Sequence, residues 1–142
     1  MKTCVFCQIA GRAVPAAIVF EDDESLAFLD HRPVFPGHTL LIPKRHLDSL
    51  LDVEPALLCR LSGNARLLAL AVEKGLGAQG AFVAINNRVS QSVPHVHVHV
   101  VPRIKGDGLK GFFWPRRNYG DPEHMEQTRR ALAAAIAAVQ GA

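Results

Sequence analysis

The sequence predicts an α+β fold: a mainly antiparallel sheet of five to six strands, one central helix and a C-terminal helix. Three observations lead there. Short apolar, β-compatible runs at 17–20, 26–29 and 39–42 are separated by turn residues. Leu57, Leu61, Ala65, Leu68 and Val72 recur at helical spacing. Apolar and polar residues alternate strictly from His95 to Val100, with period two.

Each element has its own local cause. Residues 3–11 read as a short opening turn that carries Cys4 and Cys7. The run 21–24 is Glu-Asp-Asp-Glu, a polar turn between the first two strands. Pro33, Pro36 and Gly37 break the chain before the third strand, and Pro43 stops that strand. Asp52 is the expected N-cap of the central helix, with Pro55 in the first turn, where its missing N–H costs nothing. Gly75 and Gly77 end the helix; Gly63, inside it, suggests close packing against the sheet. Cys59 reads as a small core residue of the same helix. Strands follow at 81–85 and 95–101, joined by the turn-rich run 86–94. Residues 106–120 hold four glycines with Phe112, Phe113, Trp114 and Tyr119, an irregular loop packed by aromatics. Asp121-Pro122 opens the last helix, whose stripe is Met125, Leu132, Ile136 and Val139.

A chain of 142 residues fits one domain, 1–142, and buries enough surface to fold without disulfides. The formal charge of +3 is too small to argue for duplex nucleic acid or a membrane surface, and suits a small anionic ligand. Arg103, Lys105, Lys110, Arg116 and Arg117 collect positive charge, either a solvated face or an anion contact. No apolar stretch resembles a secretion signal or a spanning helix, so a cytoplasmic location is expected, with thiols rather than disulfides.

The histidine run carries the chemistry. On a strand, His95, His97 and His99 face one side and Val96, Val98 and Val100 face the core. Neighbouring histidines then lie roughly 6.6 Å apart and the outer pair roughly 13 Å. Two of them can share a metal; three on a straight strand cannot, because a Zn–N bond is only about 2.0 Å. A row of imidazoles also suits a polyphosphate, one ring attacking and another donating hydrogen bonds. Cys4-x-x-Cys7 supports either zinc or redox chemistry, or two small buried residues, but lacks the strand–motif–helix setting of a thioredoxin-like site.

These features together resemble the histidine triad superfamily. His95-Val-His-Val-His-Val-Val101 fits its signature of histidines alternating with apolar residues at every position. Cys4-Val-Phe-Cys7, Phe28-Leu-Asp30, Pro36-Gly-His-Thr39, Ile42-Pro-Lys-Arg-His46 and Gln91-Ser-Val93 are similar to that family in its order, over a shared core of about 4–105. The loop and helix at 106–142 lie outside it. The resemblance implies a nucleotide hydrolase or nucleotidyl transferase acting at an α-phosphate through a nucleotidyl-His97 intermediate. By the same resemblance His99 contacts the phosphate, Gln91, Ser92 and the backbone of Val93 form the phosphate turn, Asp30 binds ribose hydroxyls, and Asn86 lies near the nucleotide. His38 matches a buried histidine beside the triad. Cys4, Cys7, His46 and His95 match a structural zinc site of bacterial-type members, and homodimers joined through the central helix and an edge strand are usual. A purine nucleotide substrate is expected. The motif His95–His99 followed by Val-Val-Pro-Arg103 leans toward the branch that cleaves dinucleoside polyphosphates, with Arg103 and Lys105 as candidate contacts to distal phosphates. Nucleoside phosphoramidates and adenylyl-sulfate-like or acyl-adenylate compounds are the other candidate substrates. Two rival readings are a nucleotide-binding regulatory protein with little turnover and a hydrolase using the histidines as ligands of a catalytic metal.

Overall fold

Three short apolar runs and the histidine segment assemble, with one further strand, into a single antiparallel sheet. The structure, a computed structural model, describes residues 4–110 and 116–142. Its strands are β1 (Ile18–Glu21), β2 (Ser25–Leu29), β3 (Thr39–Pro43), β4 (Gly80–Ala84) and β5 (Val98–Arg103), in the order β1-β2-β3-β5-β4. The helices are α1 (Val5–Ala10), α2 (Pro55–Leu76) and α3 (Pro122–Gly141). The chain divides into two compact units, Met1–Asp107 and Gly108–Ala142. In the second, Asp121 caps α3 by accepting the His124 amide at 2.7 Å, as its Asp-Pro start predicts. The predicted aromatics Phe112, Phe113 and Trp114 lie outside the described residues.

Alternation along each strand sends side chains to two different layers. Ala27, Leu41, Val98 and Val100 pack under the α2 stripe of Leu57, Leu61, Ala65, Leu68 and Val72. Leu26, Phe28, Leu40 and Ile42 pack on the opposite face against Phe6 and Ile9 of α1. The valines of the histidine segment therefore anchor it to the α2 layer. The histidines are left on the α1 side, where His99 is paired with Leu40 across the ladder.

Several local expectations are corrected. The opening turn is a helix, α1, and its Phe6 and Ile9 are buried. The histidine segment is not strand throughout: β5 starts only at Val98. Pro43 has no N–H to extend the β3–β5 ladder, and the Val96 amide bonds the Leu47 carbonyl instead, at 2.7 Å. Asp52 does not cap α2. It closes a capping box with Ser49 around the short 3-10 turn Leu50–Asp52, and Glu54 is the cap residue, with Pro55 first in the helix. Gly75 lies within α2, which ends at Gly77 in the left-handed region, φ 69°. A side chain at Gly63 would meet nothing within 4 Å, so close packing does not explain that glycine. Cys59 is exposed, not part of the core.

Gly37 is different. Its φ is +99°, and a Cβ there would stand 2.4 Å from Leu76 Cδ1 and 3.0 Å from Pro102 Cγ. The tip of Leu76 can move; the backbone conformation and Pro102 cannot. Gly37→Ala is expected to destabilise the fold by about 1–3 kcal/mol. Urea unfolding midpoints measure this, and a midpoint equal to wild type would contradict it.

Candidate functional site

Each histidine of the triad has one ring nitrogen assigned by its neighbours. His95 is fully buried, and its Nε2–H donates to the Pro43 carbonyl at 2.8 Å. Its Nδ1 lone pair therefore points elsewhere, toward Cys4 Sγ at 3.4 Å and Cys7 Sγ at 3.6 Å. His97 is 4% exposed, and its Nδ1–H donates to the main-chain carbonyl of His95 at 2.7 Å. That leaves His97 Nε2 as a free lone pair, the form a nucleophilic imidazole needs. The ring is seated by Phe6, edge-on at 5.1 Å between centroids, and lies 4.9 Å from the ring of His99.

The tautomer of His99 is set at one remove. The Val34 amide donates to His38 Nδ1 at 3.1 Å, so His38 carries its proton on Nε2. His38 Nε2 lies 2.9 Å from His99 Nδ1 and donates to it. His99 then holds its own proton on Nε2 and presents a donor. Burial, then the neighbouring rings of His97 and His38, push the His99 pKa down to about 4. Burial likewise lowers His38 and His95. At neutral pH His99 is thus a neutral donor, suited to an anionic oxygen in a partly buried place.

Asp30 sits beside this relay. One carboxylate oxygen accepts the Arg32 amide at 2.9 Å, and the other lies 3.7 Å from His38 Nδ1. Asp30, His38 and His99 bring their ligand atoms within 4.8 Å of one another, but the facing nitrogens of the two imidazoles are engaged with each other. His38 and His99 are a hydrogen-bonded pair, and the Asp30 carboxylate stands beside them at 3.7 Å, beyond hydrogen-bond distance.

Cys4, Cys7, His46 and His95 form a second group whose ligand atoms also lie within 4.8 Å. His46 Nδ1 is 3.3 Å from Cys7 Sγ. Burial, then Cys4 beside it, raise the Cys7 pKa, a cost to the charged sulfur that a bound cation would offset. Two sulfurs and two imidazole nitrogens converging without a fifth donor suit a closed, four-coordinate zinc. The donor set fits the metal.

The remaining predicted residues lie on the loop from β4 to the histidines. Asn86 and Ser92 are exposed, and Val93 is half-buried. Gln91 is committed within the protein: Nε2 donates to the Asp48 carbonyl at 2.6 Å, and Oε1 accepts the Arg88 amide at 2.9 Å. Arg103 is gripped by Asp107 through two bonds of 2.6 and 3.0 Å, which ties up the cation proposed for distal phosphates. Two neighbours escaped the sequence reading. Phe6 was hidden in a segment read as a turn. Asp48, whose Oδ1 lies 2.8 Å from His46 Nε2, is common as a residue type and distinctive only by position.

Residues 12–106 match the HIT domain family. The chain belongs to that family. The crystal structure of a HIT family member from Bacillus subtilis superposes with a TM-score of 0.82 at 32% identity, over 94% of this chain and 96% of that one. The Zn-bound histidine triad family protein of Mycobacterium smegmatis superposes with a TM-score of 0.73 at 39% identity, over 96% of this chain and 97% of the other. The adenylylsulfatase HINT3 of Arabidopsis thaliana is 33% identical over 108 residues, 75% of this chain and 55% of that protein. The HIT family is one of nucleotide-binding proteins that include hydrolases, and the five-stranded antiparallel sheet is its fold. The zinc in the mycobacterial relative is compatible with the Cys4, Cys7, His46 and His95 cluster. Among the described residues, no helix is long and apolar enough to cross a membrane.

The low pKa of His99 gives a signed prediction. Its folded value, about 4, lies below the ordinary value of 6.5. Between those limits the unfolded chain binds more protons than the folded one, so stability rises with pH across that window and falls on acidification. Denaturant midpoints are expected to be higher at pH 7 than at pH 5, with a shallower pH slope in His99→Asn. An identical slope in the variant would contradict the burial of a neutral His99.

Proposed function

We propose that this HIT-family protein is a nucleotide hydrolase or nucleotidyl transferase acting at the α-phosphate of a purine nucleotide, with His97 as nucleophile. The observation that carries this reading is the 2.7 Å bond from His97 Nδ1–H to the His95 carbonyl, which leaves Nε2 as the lone pair. Nε2 attacks the α-phosphorus and the P–O or P–N bond to the leaving group breaks, its electron pair departing with that group. The Ser92 hydroxyl donates to the leaving atom. The resulting positive imidazolium keeps its Nδ1–H on the His95 carbonyl, where the charge strengthens the bond. His99 Nε2–H and the Val93 amide steady the phosphate oxygens. Water then attacks phosphorus and releases a proton to solvent, the P–Nε2 bond breaks with its electron pair returning to Nε2, and His97 returns to its starting form. Asp30 accepts the ribose hydroxyls, Asn86 borders the nucleotide, and Gln91 holds the phosphate turn in shape.

Cys4, Cys7, His46 and His95 hold a structural Zn2+ in this reading. Bound there, the ion supplies cross-linking of the N-terminal helix to the histidine segment, and no chemistry at phosphorus. Dinucleoside polyphosphates, phosphoramidates and adenylyl sulfate, the last from the name of the plant relative, are the substrates to compare. The commitment of Arg103 to Asp107 removes one argument for the longest polyphosphates. A homodimer joined through α2 and the edge strand β4 is part of the same reading, supported by half-exposed Leu67, Leu70 and Val83.

Three outcomes are expected. Incubating the protein briefly with each donor and quenching in alkali should yield a mass increase of one nucleotidyl group, absent in His97→Ala. Nucleotide binding without that adduct would favour a regulatory protein instead. Elemental analysis should find one zinc per chain, and Cys7→Ser should lose it; a wild-type protein purified without chelators yet free of zinc would overturn the metal assignment. Sedimentation should give twice the chain mass of 15.4 kDa, whereas a monomer would contradict the assembly.

A further inference from the structure

We propose that Asp48 joins the metal centre to the phosphate turn, so that metal binding orders the loop 87–93. The role of that loop rests on the nucleotide reading above; the link itself rests on five polar contacts. His46 turns Nδ1 to Cys7 Sγ at 3.3 Å and Nε2 to Asp48 Oδ1 at 2.8 Å. A carboxylate behind a ligand imidazole fixes its tautomer and makes it a better donor to the metal. The main-chain carbonyl of the same Asp48 accepts Gln91 Nε2 at 2.6 Å. One residue therefore touches the metal ligand with its side chain and the phosphate turn with its backbone.

The turn needs such a support. Arg88 and Ser90 both have positive φ, 70° and 60°. A side chain disfavours that left-handed region, so the conformation persists only where its surroundings impose it. Gln91 Oε1 bridges back to the Arg88 amide at 2.9 Å, closing the strained stretch. A second tie lies alongside: the Leu50 amide donates to Asn87 Oδ1 at 3.1 Å. Residues 48–50 thus hold the loop at both ends, and residue 46 holds them to the metal. With His46 fixed by the ion, Gln91 meets an acceptor in one place. By linkage, whatever orders the loop tightens metal binding by the same factor.

The side chain of Asp48 is 71% exposed, so removing it leaves the core intact. Asp48→Ala is expected to bind zinc about 10–100-fold more weakly in chelator competition. Hydrogen exchange then reads the loop. Stripping zinc from the wild-type protein should speed exchange at the Arg88 and Leu50 amides by about 5-fold or more, while β2 amides stay protected. In Gln91→Leu the Arg88 amide should exchange fast with or without zinc. Zinc affinity of Asp48→Ala within about 2-fold of wild type would overturn the proposal, since loss of such a carboxylate ordinarily costs at least tenfold. So would loop amides indifferent to zinc, or an equal acceleration in β2, which would make the metal a general prop of the fold. None of these readouts needs turnover, so a missing nucleotidyl adduct would count against the enzymatic reading without touching this one.

Discussion

The hydrogen bond from His97 Nδ1 to the carbonyl of His95 organises the site, because it decides which nitrogen of the central imidazole is left to react. The bond is local in sequence, two residues apart, yet it exists only because His95 is itself immobilised. Pro43 takes one nitrogen of that ring, and the two cysteines stand before the other. Side chain and backbone of His95 therefore serve different sites. Its imidazole belongs to the Cys4, Cys7, His46 and His95 cluster, and its main-chain carbonyl positions the His97 ring.

The same division of labour explains why three histidines in one short segment are not redundant. Each meets a different partner: a proline carbonyl with thiols for His95, a backbone carbonyl for His97, a second imidazole for His99. The sheet supplies the frame. Val98 and Val100 are locked under α2, and Phe6 closes the opposite face against His97. The six-residue helix α1 thus carries both Cys7 of the Cys4, Cys7, His46 and His95 cluster and Phe6, which makes a T-shaped contact with the His97 ring.

The periodic parts of the fold were legible in the sequence. The α2 stripe followed from helical spacing, because burial of one face imposes it, and β2 and β3, buried on both faces, followed from continuous apolar runs. The expectation of a core Cys59 failed against the same spacing: two residues from Leu57 and two from Leu61, it falls on the opposite side of the helix and is exposed. Ser49-x-x-Asp52 is a capping-box pattern that competes with reading Asp52 as the cap of α2. The end of β5 at Val98 was not legible, since alternation continues through His95 and only the contacts of Pro43 and Leu47 show the ladder stopping. The grouping of His46 and His95 with Cys4 and Cys7 came from resemblance, and their four ligand atoms lie within 4.8 Å of one another; spacing alone left zinc and redox open. Asp48 and Gln91, 43 positions apart, carry no signal that a single sequence can show.

The account stands on the tautomers of the three rings, and long-range 1H–15N correlation spectra of imidazole-labelled, zinc-loaded protein read them directly. The expected pattern is a proton on Nδ1 of His97 and on Nε2 of His95 and His99. A His97 ring protonated at Nε2 would leave no lone pair facing the substrate and would contradict the account at its centre.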